Sequence, residues 1–464
     1  MKRQSIVCKV LTLLLIMGVN IRAGASSILL ADKQSAKANI IIPVKPTATQ
    51  QFAAEELKKY LGKITGASFS IGEKAPGSAI RLQSESFSNS EAYRIEIAGK
   101  DILLTAGSDR AILYATYDLL ERLGCRWLAP GFDYYQSGAE IIPKTTRLQF
   151  TLSKAIDESP VFEYRKLDVA GSRTLASDKL KQLIDWMPKA RYNTLRFQMD
   201  KETSKPVKWD KYRTDLIPEI KKRGIILEVG GHGYQHFLNS GMEGGKLFNQ
   251  HPDWFGKDSA CVSSPSDRLV FNTENPEAVT YFTDKIVKFL KDRPEIDIFD
   301  FWPPDVGRWQ DCPGFKQHGT PQERQVRLAN YVYAEIKKAR PDIRMEIIAY
   351  SYALMPPENT PLNPEILLEI CPINQSFEKQ LYDASASTHP EYIQSIEAWR
   401  KAFKGNITLY SYYRKQAWRS APNIIPHYMQ KDMQWFRKVP FQGIACYAES
   451  LYIRSAGLES GCKC

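Results

Sequence analysis

Residues 194–229 read TLRFQMDKETSKPVKWDKYRTDLIPEIKKRGIILEV. The segment begins with the short apolar run Thr194 to Met199 and ends with a second one, Ile225 to Val229. Between them, Lys211 to Arg223 spaces its apolar residues as an amphipathic helix does. The order strand, helix, strand is typical of two parallel strands joined by a helix.

The same alternation runs from Phe162 to the end of the chain. The predicted strands are Glu163 to Val169, Thr194 to Met199, Ile225 to Val229, Ile296 to Trp302, Arg344 to Tyr350, Ile366 to Cys371, Ile407 to Tyr412 and Gly443 to Tyr447. The predicted helices between them are Lys179 to Lys189, Lys211 to Arg223, Pro276 to Lys291, Gln322 to Ala339 and Pro390 to Phe403. Eight strands with intervening helices over about 300 residues predict an α/β fold, a (β/α)8 TIM-like barrel. The Pro-rich connection Ala353 to Pro364 is predicted to lack a helix.

Residues 26–155 predict a small α+β domain before the barrel, which takes 156–464. Two helical patterns, Thr49 to Ile64 and the segment from Ser108 to Gly124, lie among short apolar runs. The predicted strands of this domain are Ala38 to Val44, Ala79 to Leu82, Tyr93 to Ile97 and Asp101 to Thr105. The last residues, Gly461 to Cys464, are unlike the closing helix of a barrel, so we expect the natural chain to continue.

Residues 1–25 predict a secretory signal. Lys2 and Arg3 precede the apolar run Val10 to Val19, and small residues up to Ala25 suit a signal peptidase. The run has only about ten residues, whereas a membrane-spanning helix needs roughly 20. We therefore expect a periplasmic or extracellular protein without a membrane span.

Charge and cysteine content exclude some classes of function. The net charge is +11, and the predicted signal carries four basic residues and no acid, so +7 remains after cleavage (11 − 4). The basic residues are scattered, which argues against a nucleic-acid partner. The eight cysteines are spaced too widely for a dense disulfide framework, and we expect buried free thiols at Cys371 and Cys446.

Two carboxyl residues follow predicted barrel strands and form the candidate catalytic pair. Asp305 follows the fourth strand and Glu449 follows the eighth. In such barrels the active site lies at the carboxyl ends of the strands. Hydrolysis of a glycosidic bond needs one protonated and one ionised carboxyl group on opposite sides of the bond. Strands four and eight lie on opposite sides of a barrel, which favours the wide separation between the two carboxyl groups that is typical of inverting enzymes. The alternative is that Asp305 caps a loop and Glu449 pairs with an arginine.

The segment GGHGYQH at 230–236 places two histidines after the third strand. On a helix, His232 and His236 would lie on one face as zinc ligands, but the glycines favour a loop and no acidic ligand follows. His232 is therefore predicted to bind a sugar hydroxyl or carboxylate, with His236 as a further candidate. A purely structural histidine is the alternative.

Other candidate substrate-binding residues also stand on the strands or directly after them. The aromatic ones, whose rings could stack on sugars, are Trp302, Trp309, Tyr350, Tyr352 and Tyr412. The arginines Arg165, Arg196 and Arg414 could clamp a uronate carboxylate. Each could instead be an ordinary core residue or ion-pair member. No phosphate-binding loop, dinucleotide fingerprint or serine-hydrolase elbow is present, and no cofactor or metal is predicted.

Several motifs resemble known families. The run AAEELKKYL at 53–61, YRIEI at 93–97 and GCRW at 124–127 resemble the N-terminal domain of family 67 α-glucuronidases and the second domain of β-hexosaminidases. Residues 251–255 (HPDWF) and 302–313 are similar to the domain of unknown function number 4838, found in secreted bacterial proteins. Together the two resemblances cover nearly all of the mature chain and imply a catalytic barrel.

The resemblance also has limits at the site. α-Glucuronidases carry a glutamate acid after strand four, where this sequence has Asp305, and their base carboxylates after strands six and seven have no clear counterparts. The adjacent Asp-Glu pair of hexosaminidases is absent. The favoured hypothesis is a secreted glycoside hydrolase, α-glucuronidase-like, acting on a polysaccharide or oligosaccharide that could contain uronic acid. The alternatives are a non-catalytic carbohydrate-binding barrel and a metal-dependent hydrolase.

Overall fold

The computed structural model describes residues 25–132, 138–169, 176–199, 208–266, 268–305, 308–309, 312–375, 377, 379–383, 385, 390–413 and 425–448. Two predicted site residues, Glu449 and Arg414, lie outside these ranges, as does most of the predicted signal. In the described part of the chain, no helix combines the length and apolarity needed to cross a bilayer.

The amino-terminal part is an α+β domain, as predicted. Its strands are β1 (Ser26–Asp32), β2 (Ser35–Ala36), β3 (Ala38–Ile41), β4 (Ile71–Gly72), β5 (Ser78–Ser84), β6 (Tyr93–Ala98), β7 (Asp101–Ala106), β8 (Arg126–Trp127), β9 (Glu140–Ile141), β10 (Arg147–Leu152) and β11 (Ile156–Glu158). A six-stranded sheet has the order β11-β6-β7-β5-β3-β4 and is accompanied by a three-stranded sheet, β10-β1-β2, and the pair β8-β9. Because β11 pairs with β6, this sheet extends to Glu158, three residues past the predicted boundary (158 − 155).

Local sequence explains the two helices of this domain, α1 (Ala48–Thr65) and α2 (Asp109–Arg122). Thr47 and Gln50 form a reciprocal capping box at the start of α1, and Gly66 ends it with a φ of 73°. That left-handed conformation suits glycine, which has no Cβ. Ser108 caps α2 by accepting a hydrogen bond from the backbone N–H of Ala111. The helices pack on each other and on the six-stranded sheet.

Eight parallel strands within the described residues form a closed barrel, which confirms the predicted fold. They are β12 (Tyr164–Val169), β13 (Thr194–Gln198), β14 (Ile226–Gly230), β15 (Ile298–Asp300), β16 (Arg344–Ala349), β17 (Leu367–Ile370), β18 (Ile407–Ser411) and β19 (Gly443–Ala448). The ring closes where β19 pairs with β12. The helices after the strands are α3 (Ser177–Trp186), α4 (Lys208–Lys221), α5 (Lys246–Gln250), α6 (Pro276–Lys291), α7 (Pro313–Lys316), α8 (Pro321–Ala339), α9 (Glu391–Ala402) and α10 (Pro426–Lys438).

The barrel interior has three kinds of side chain along its axis. At the amino ends of the strands, apolar side chains of Tyr164, Ile298 and Leu367 pack together. Charged side chains occupy the middle, and aromatic side chains occupy the carboxyl ends.

The connection from β16 to β17 contains only one turn of 3-10 helix, at Ser351–Ala353, which confirms that it lacks an α-helix.

A buried carboxylate, Glu91, links the two domains. It accepts hydrogen bonds from Arg110 of α2 (2.5 Å), from Asn193 next to β13 (3.0 Å) and from Arg165 of β12. Arg165 also donates to the backbone carbonyls of Phe162 (2.6 Å) and Arg191 (2.7 Å). Its guanidinium is therefore committed to the interface with the amino-terminal domain. The predicted role of Arg165 as a uronate clamp finds no support in this position.

Candidate active site

A cavity of about 160 Å³ lies at the carboxyl ends of β14, β15 and β16. We call it the cup. Its lining consists of His232, Pro303, Pro304, Asp305, Gln325, Ile348, Tyr350, Ser351 and Tyr352. Four predicted site residues, His232, Asp305, Tyr350 and Tyr352, therefore meet in one place. Gln325, Ile348 and Ser351 were not predicted.

A larger cavity, of about 480 Å³, lies at the opposite end of the barrel beside Arg110 of α2. Its charged lining is largely paired within the protein, as in the ion pair of Arg344 with Glu163 at 3.1 Å. Because barrel enzymes carry out their chemistry at the carboxyl ends of the strands, we assign the site to the smaller cup.

Glycines after β14 bring His232 to the end of β15. Gly230 has a φ of 149°, and a Cβ there would lie 2.3 Å from the carbonyl oxygen of Asp300, so only glycine fits. The chain then forms a single parallel bridge between His232 and Trp302. The loop predicted for 230–236 is confirmed at 231–233, whereas Gly230 ends β14 and Tyr234–His236 form one 3-10 turn.

His232 and Asp305 face each other across the cup. The Nδ1 atom of His232 lies 2.6 Å from the carbonyl oxygen of Pro303, and since a carbonyl only accepts, Nδ1 carries a proton. The other ring nitrogen, Nε2, lies 3.6 Å from Oδ1 of Asp305. That distance is longer than a hydrogen bond and allows an ion pair when the histidine is protonated. Tyr350 donates its hydroxyl hydrogen to the same Asp305 oxygen at 3.2 Å.

Burial and the negative charge of Asp305 raise the pKa of Tyr350, which therefore stays protonated and keeps donating. The side chain of Asp305 is 33% exposed, so a ligand in the cup can reach it. Asp305 is thus an accessible carboxyl group with His232 and Tyr350 beside it.

His236 does not line the cup. Among the described residues, one group of three potential metal ligands was found, Glu228, Asp300 and Glu346, and it contains neither histidine. The zinc hypothesis therefore has only the two histidines in its favour.

Aromatic rings cover the carboxyl end of the barrel interior. We call Trp302, Tyr350, Tyr410, Tyr412 and Tyr447 the aromatic floor; all belong to one packed cluster. Trp309 lies behind the cup wall, where its Nε1 donates to the hydroxyl of Tyr352. The predicted aromatic residues therefore gather at one end of the barrel, and their contact with a sugar stays a prediction.

Beneath the floor lie seven charged side chains, each at most 1% exposed. We call them the charge cluster: Lys166, Asp168, Arg196, Glu228, Asp300, Glu346 and Glu369. Lys166 donates to Glu346 and contacts Glu228 at 2.9 Å. Arg196 donates to Glu228, to Glu346 at 2.6 Å and to Glu369 at 2.9 Å. The predicted uronate-binding role of Arg196 finds no support in this geometry, because its guanidinium is fully buried and held by carboxylates of the chain.

Five carboxyl groups with two cations cannot all be ionised cheaply in a dry interior. Burial and the neighbouring charge of Glu228 raise the pKa of Asp300 well above its usual value. Burial also opposes ionisation of Glu228, but Arg196 and Lys166 outweigh it and lower the pKa of Glu228 to about 2. The protonated Asp300 can then donate to the ionised Glu228.

Asp300→Asn is expected to flatten the pH dependence of stability. In the unfolded chain an aspartate ionises near pH 3.9, whereas folded Asp300 keeps its proton. The folded state thus binds more protons, and this residue makes stability fall as pH rises, by up to about 1.4 kcal/mol per pH unit. Asparagine stays neutral and can still donate to Glu228.

Unfolding midpoints from about pH 4 to pH 8 check this expectation. The variant should match the wild-type protein at the acid end and exceed it at the alkaline end. Asp292→Asn, which changes an exposed carboxylate paired with Lys288, is the control. Equal slopes for Asp300→Asn and the wild-type protein would show that Asp300 is ionised when folded.

A disulfide joins the loops that follow β14 and β15. Cys261 and Cys312 are bonded, 51 residues apart, a pairing the sequence did not reveal. Backbone hydrogen bonds also link these loops, from Arg308 to the carbonyl of Arg268 (2.7 Å) and from Val270 to that of Arg308 (3.1 Å). The disulfide thus fixes the far end of the loop that carries Asp305. Cys371 is a buried free thiol, as predicted, whereas the thiol of Cys446 is only partly buried.

The double variant Cys261→Ser, Cys312→Ser is expected to lose about 2 to 4 kcal/mol of stability, because the crosslink restricts the unfolded chain. Denaturant unfolding with and without a reductant measures this loss. Reductant should lower the stability of the wild-type protein to that of the variant and leave the variant unchanged. If reductant leaves the stability of the wild-type protein unchanged, the disulfide is contradicted.

The charge cluster had a signal in the sequence. Each of the first six barrel strands carries a charged residue within its apolar run: Lys166, Arg196, Glu228, Asp300, Glu346 and Glu369. Such residues on consecutive strands indicate an ionic layer inside a barrel.

Two family models match the chain. One, described as "Domain of unknown function (DUF4838)", covers residues 134–457. The other, described as "Glycosyl hydrolase family 20, domain 2", covers residues 29–125. The expected likeness to the hexosaminidase second domain is thus confirmed, and the likeness to family 67 stays a prediction. No curated protein matches the chain.

Solved structures share the fold at low identity. A family GH115 4-O-methyl-α-glucuronidase with specificity for decorated arabinogalactans is 12% identical, with a TM-score of 0.61 over 93% of this chain and 56% of its own. A GH138 enzyme targeting pectin rhamnogalacturonan II is 13% identical, with a TM-score of 0.59 over 90% of this chain and 47% of its own. A β-N-acetylhexosaminidase from Bacteroides fragilis is 11% identical, with a TM-score of 0.56 over 92% and 83%. The chain spans about half the length of the first two.

Proposed function

The chain belongs to the family described as domain of unknown function DUF4838, a description that assigns no chemistry, and we propose from the geometry of the cup that it is a glycoside hydrolase. The observation that carries the proposal is the accessible carboxyl group of Asp305, which lies 3.6 Å from Nε2 of His232 beside an aromatic floor. The fold shared with glycoside hydrolases agrees with it.

In the proposed mechanism, Asp305 is the general acid. It gives its proton to the glycosidic oxygen as the bond from that oxygen to the sugar carbon breaks. His232 can supply the proton that Asp305 needs for the next turnover, because its Nε2 faces the carboxyl group. Tyr350 holds the carboxyl group in place by donating to Oδ1.

Glu449 is the proposed second carboxyl group. It follows β19, which lies four strands from β15 in the eight-stranded ring. In an inverting reaction it would take a proton from the water that attacks the sugar carbon. Strands on opposite sides of the barrel favour the wider carboxyl separation of that reaction, about 6.5 to 9.5 Å.

The proposed substrate is a polysaccharide or oligosaccharide, with uronic-acid-containing glycans as one class to test. The described lining of the cup contains neither arginine nor lysine. Of the three predicted clamps, Arg165 and Arg196 are engaged within the protein, which leaves Arg414. If uronates are the substrates, Arg414→Gln should raise their KM and leave neutral glycosides unaffected.

We also propose that the protein is exported. The basic start and apolar run of residues 1–25 support this, and so does the Cys261–Cys312 disulfide, since such bonds persist in oxidising compartments. Amino-terminal sequencing of the mature protein checks it. A product that retains Met1 would contradict cleavage.

The test of the function is a glycan screen with two readouts. The wild-type protein and the double variant Asp305→Asn, Glu449→Gln are incubated with neutral and uronate-containing oligosaccharides, and released reducing ends are measured. Calorimetry measures binding of the same glycans. We expect release by the wild-type protein alone and binding by both. Binding without release by the wild-type protein would favour a non-catalytic carbohydrate-binding barrel instead.

A further inference from the structure

Tyr410 lies at the centre of the aromatic floor. Its ring contacts the rings of Tyr412, Tyr447 and Trp302, with centroids 4.7, 5.8 and 6.2 Å away. The side chain is only 3% exposed. The orientation of this one ring therefore affects three others that cover the barrel interior.

The hydroxyl of Tyr410 is held from below by the charge cluster. It donates a short hydrogen bond to Oδ2 of Asp168, which is fully buried at the end of β12. The amide of Gln198 donates to both oxygens of the same carboxyl group, at 3.1 and 2.9 Å. Gln198 of β13 thus fixes the position of Asp168, and Asp168 in turn anchors the ring of Tyr410 on β18.

Arg196 completes the support beneath the floor. Its guanidinium carbon lies 4.9 Å from the centre of the Trp302 ring and 5.3 Å from that of Tyr410. One terminal nitrogen of Arg196 is 3.6 Å from Asp168. Arg196 and Asp168 therefore both contact the aromatic floor: Arg196 contacts the rings of Trp302 and Tyr410, and Asp168 accepts from the hydroxyl of Tyr410.

We propose that Asp168 is a positioning residue, which holds Tyr410 and through it fixes Trp302 in the aromatic floor. A buried ring without its anchor gains freedom to rotate, and rings packed against it gain room to move. Trp302 matters because its ring lies 5.3 Å from that of His232, the partner of Asp305. The link to sugar binding rests on the proposed function, whereas the anchoring of Trp302 does not.

Acrylamide quenching of Trp302 fluorescence tests the anchoring without a substrate. In each background, the signal of Trp302 is the difference between the protein and its Trp302→Phe counterpart. We expect Tyr410→Phe and Asp168→Ala each to raise the quenching constant of Trp302 by about threefold through local opening. The double variant should add nothing, because Asp168 acts through Tyr410. Asp168→Asn keeps an acceptor for the hydroxyl and should stay close to the wild-type value.

A second tyrosine–aspartate pair supplies a matched control. Tyr413, just beyond β18, donates its hydroxyl hydrogen to the buried Asp432 of α10 at 2.8 Å. Tyr413→Phe removes the same kind of hydrogen bond outside the floor. It should lower the unfolding midpoint and leave Trp302 quenching unchanged. If it exposes Trp302 as much as Tyr410→Phe does, the effect is general loosening and the proposal fails.

Kinetics separate this proposal from the proposed function. On a glycan that the wild-type protein hydrolyses, Tyr410→Phe should raise KM about tenfold, roughly the effect of losing one contact with the substrate. The value of kcat should stay nearly unchanged. Tyr413→Phe should leave KM within about twofold. If no glycan is hydrolysed, the function fails while the quenching result still decides the anchoring. Unchanged Trp302 quenching in Asp168→Ala would overturn the proposal even in an active enzyme.

Discussion

Asp305→Asn is expected to lower kcat/KM by about 10² to 10⁴-fold, the usual contribution of a general acid. The amide has almost the same shape, so Tyr350 can still donate to its oxygen and the cup should keep its form. What the amide lacks is a proton that can be transferred to the leaving oxygen. The loss should therefore appear mainly in kcat.

The leaving group sharpens this prediction. A nitrophenolate needs little protonation as it leaves, so the loss should be much smaller for nitrophenyl glycosides than for natural glycans. The control is Asp253→Asn, in the loop after β14, which changes an exposed carboxylate hydrogen-bonded to Asn275 at 2.6 Å. It should retain wild-type turnover. A uniform loss on both kinds of substrate would argue that Asp305 binds sugar and does not act as the acid.

Arg196→Met is expected to cost about 3 to 5 kcal/mol of stability, because removing one partner leaves buried carboxylates without compensation. The side chain is fully buried and contacts Glu228, Glu346 and Glu369. Methionine fills a similar volume, so the loss reflects charge more than packing. Denaturant unfolding at neutral pH measures it.

Arg344→Met is the matched control on a neighbouring part of the same barrel. Arg344 pairs with Glu163 at 3.1 Å, and both side chains are about half exposed, so the expected loss is about 0 to 1 kcal/mol. Arg196→Lys keeps the charge but loses the fork of donors, and it should fall between the two. If Arg196→Met were no worse than Arg344→Met, the carboxyl groups of the charge cluster would have to be neutral already.

The predicted elements agree closely with the structure where local signals are strong. The helix predicted at Pro276 to Lys291 has those bounds, because Asn275 caps it, Pro276 begins it and a regular apolar face runs along it. The strand predicted at Ile296 to Trp302 is only Ile298–Asp300, since the pairing with both neighbouring strands decides its length. At the site, Asp305, His232, Tyr350 and Tyr352 come together because they lie in the segments that follow strands, and their roles stay predictions.

The sequence by itself determined the number of barrel strands, their order and the loops that carry the cup, because the apolar period and the helix caps lie within short stretches of chain. It did not determine which face of a strand is inside. Arg165 and Lys166 are adjacent and both basic, yet one serves the domain interface and the other lies in the charge cluster. Neighbouring residues of a strand point to opposite faces, and only closure of the ring decides which face is buried. The charge cluster, the anchored floor and the disulfide all depend on that closure, since their members come from distant parts of the chain.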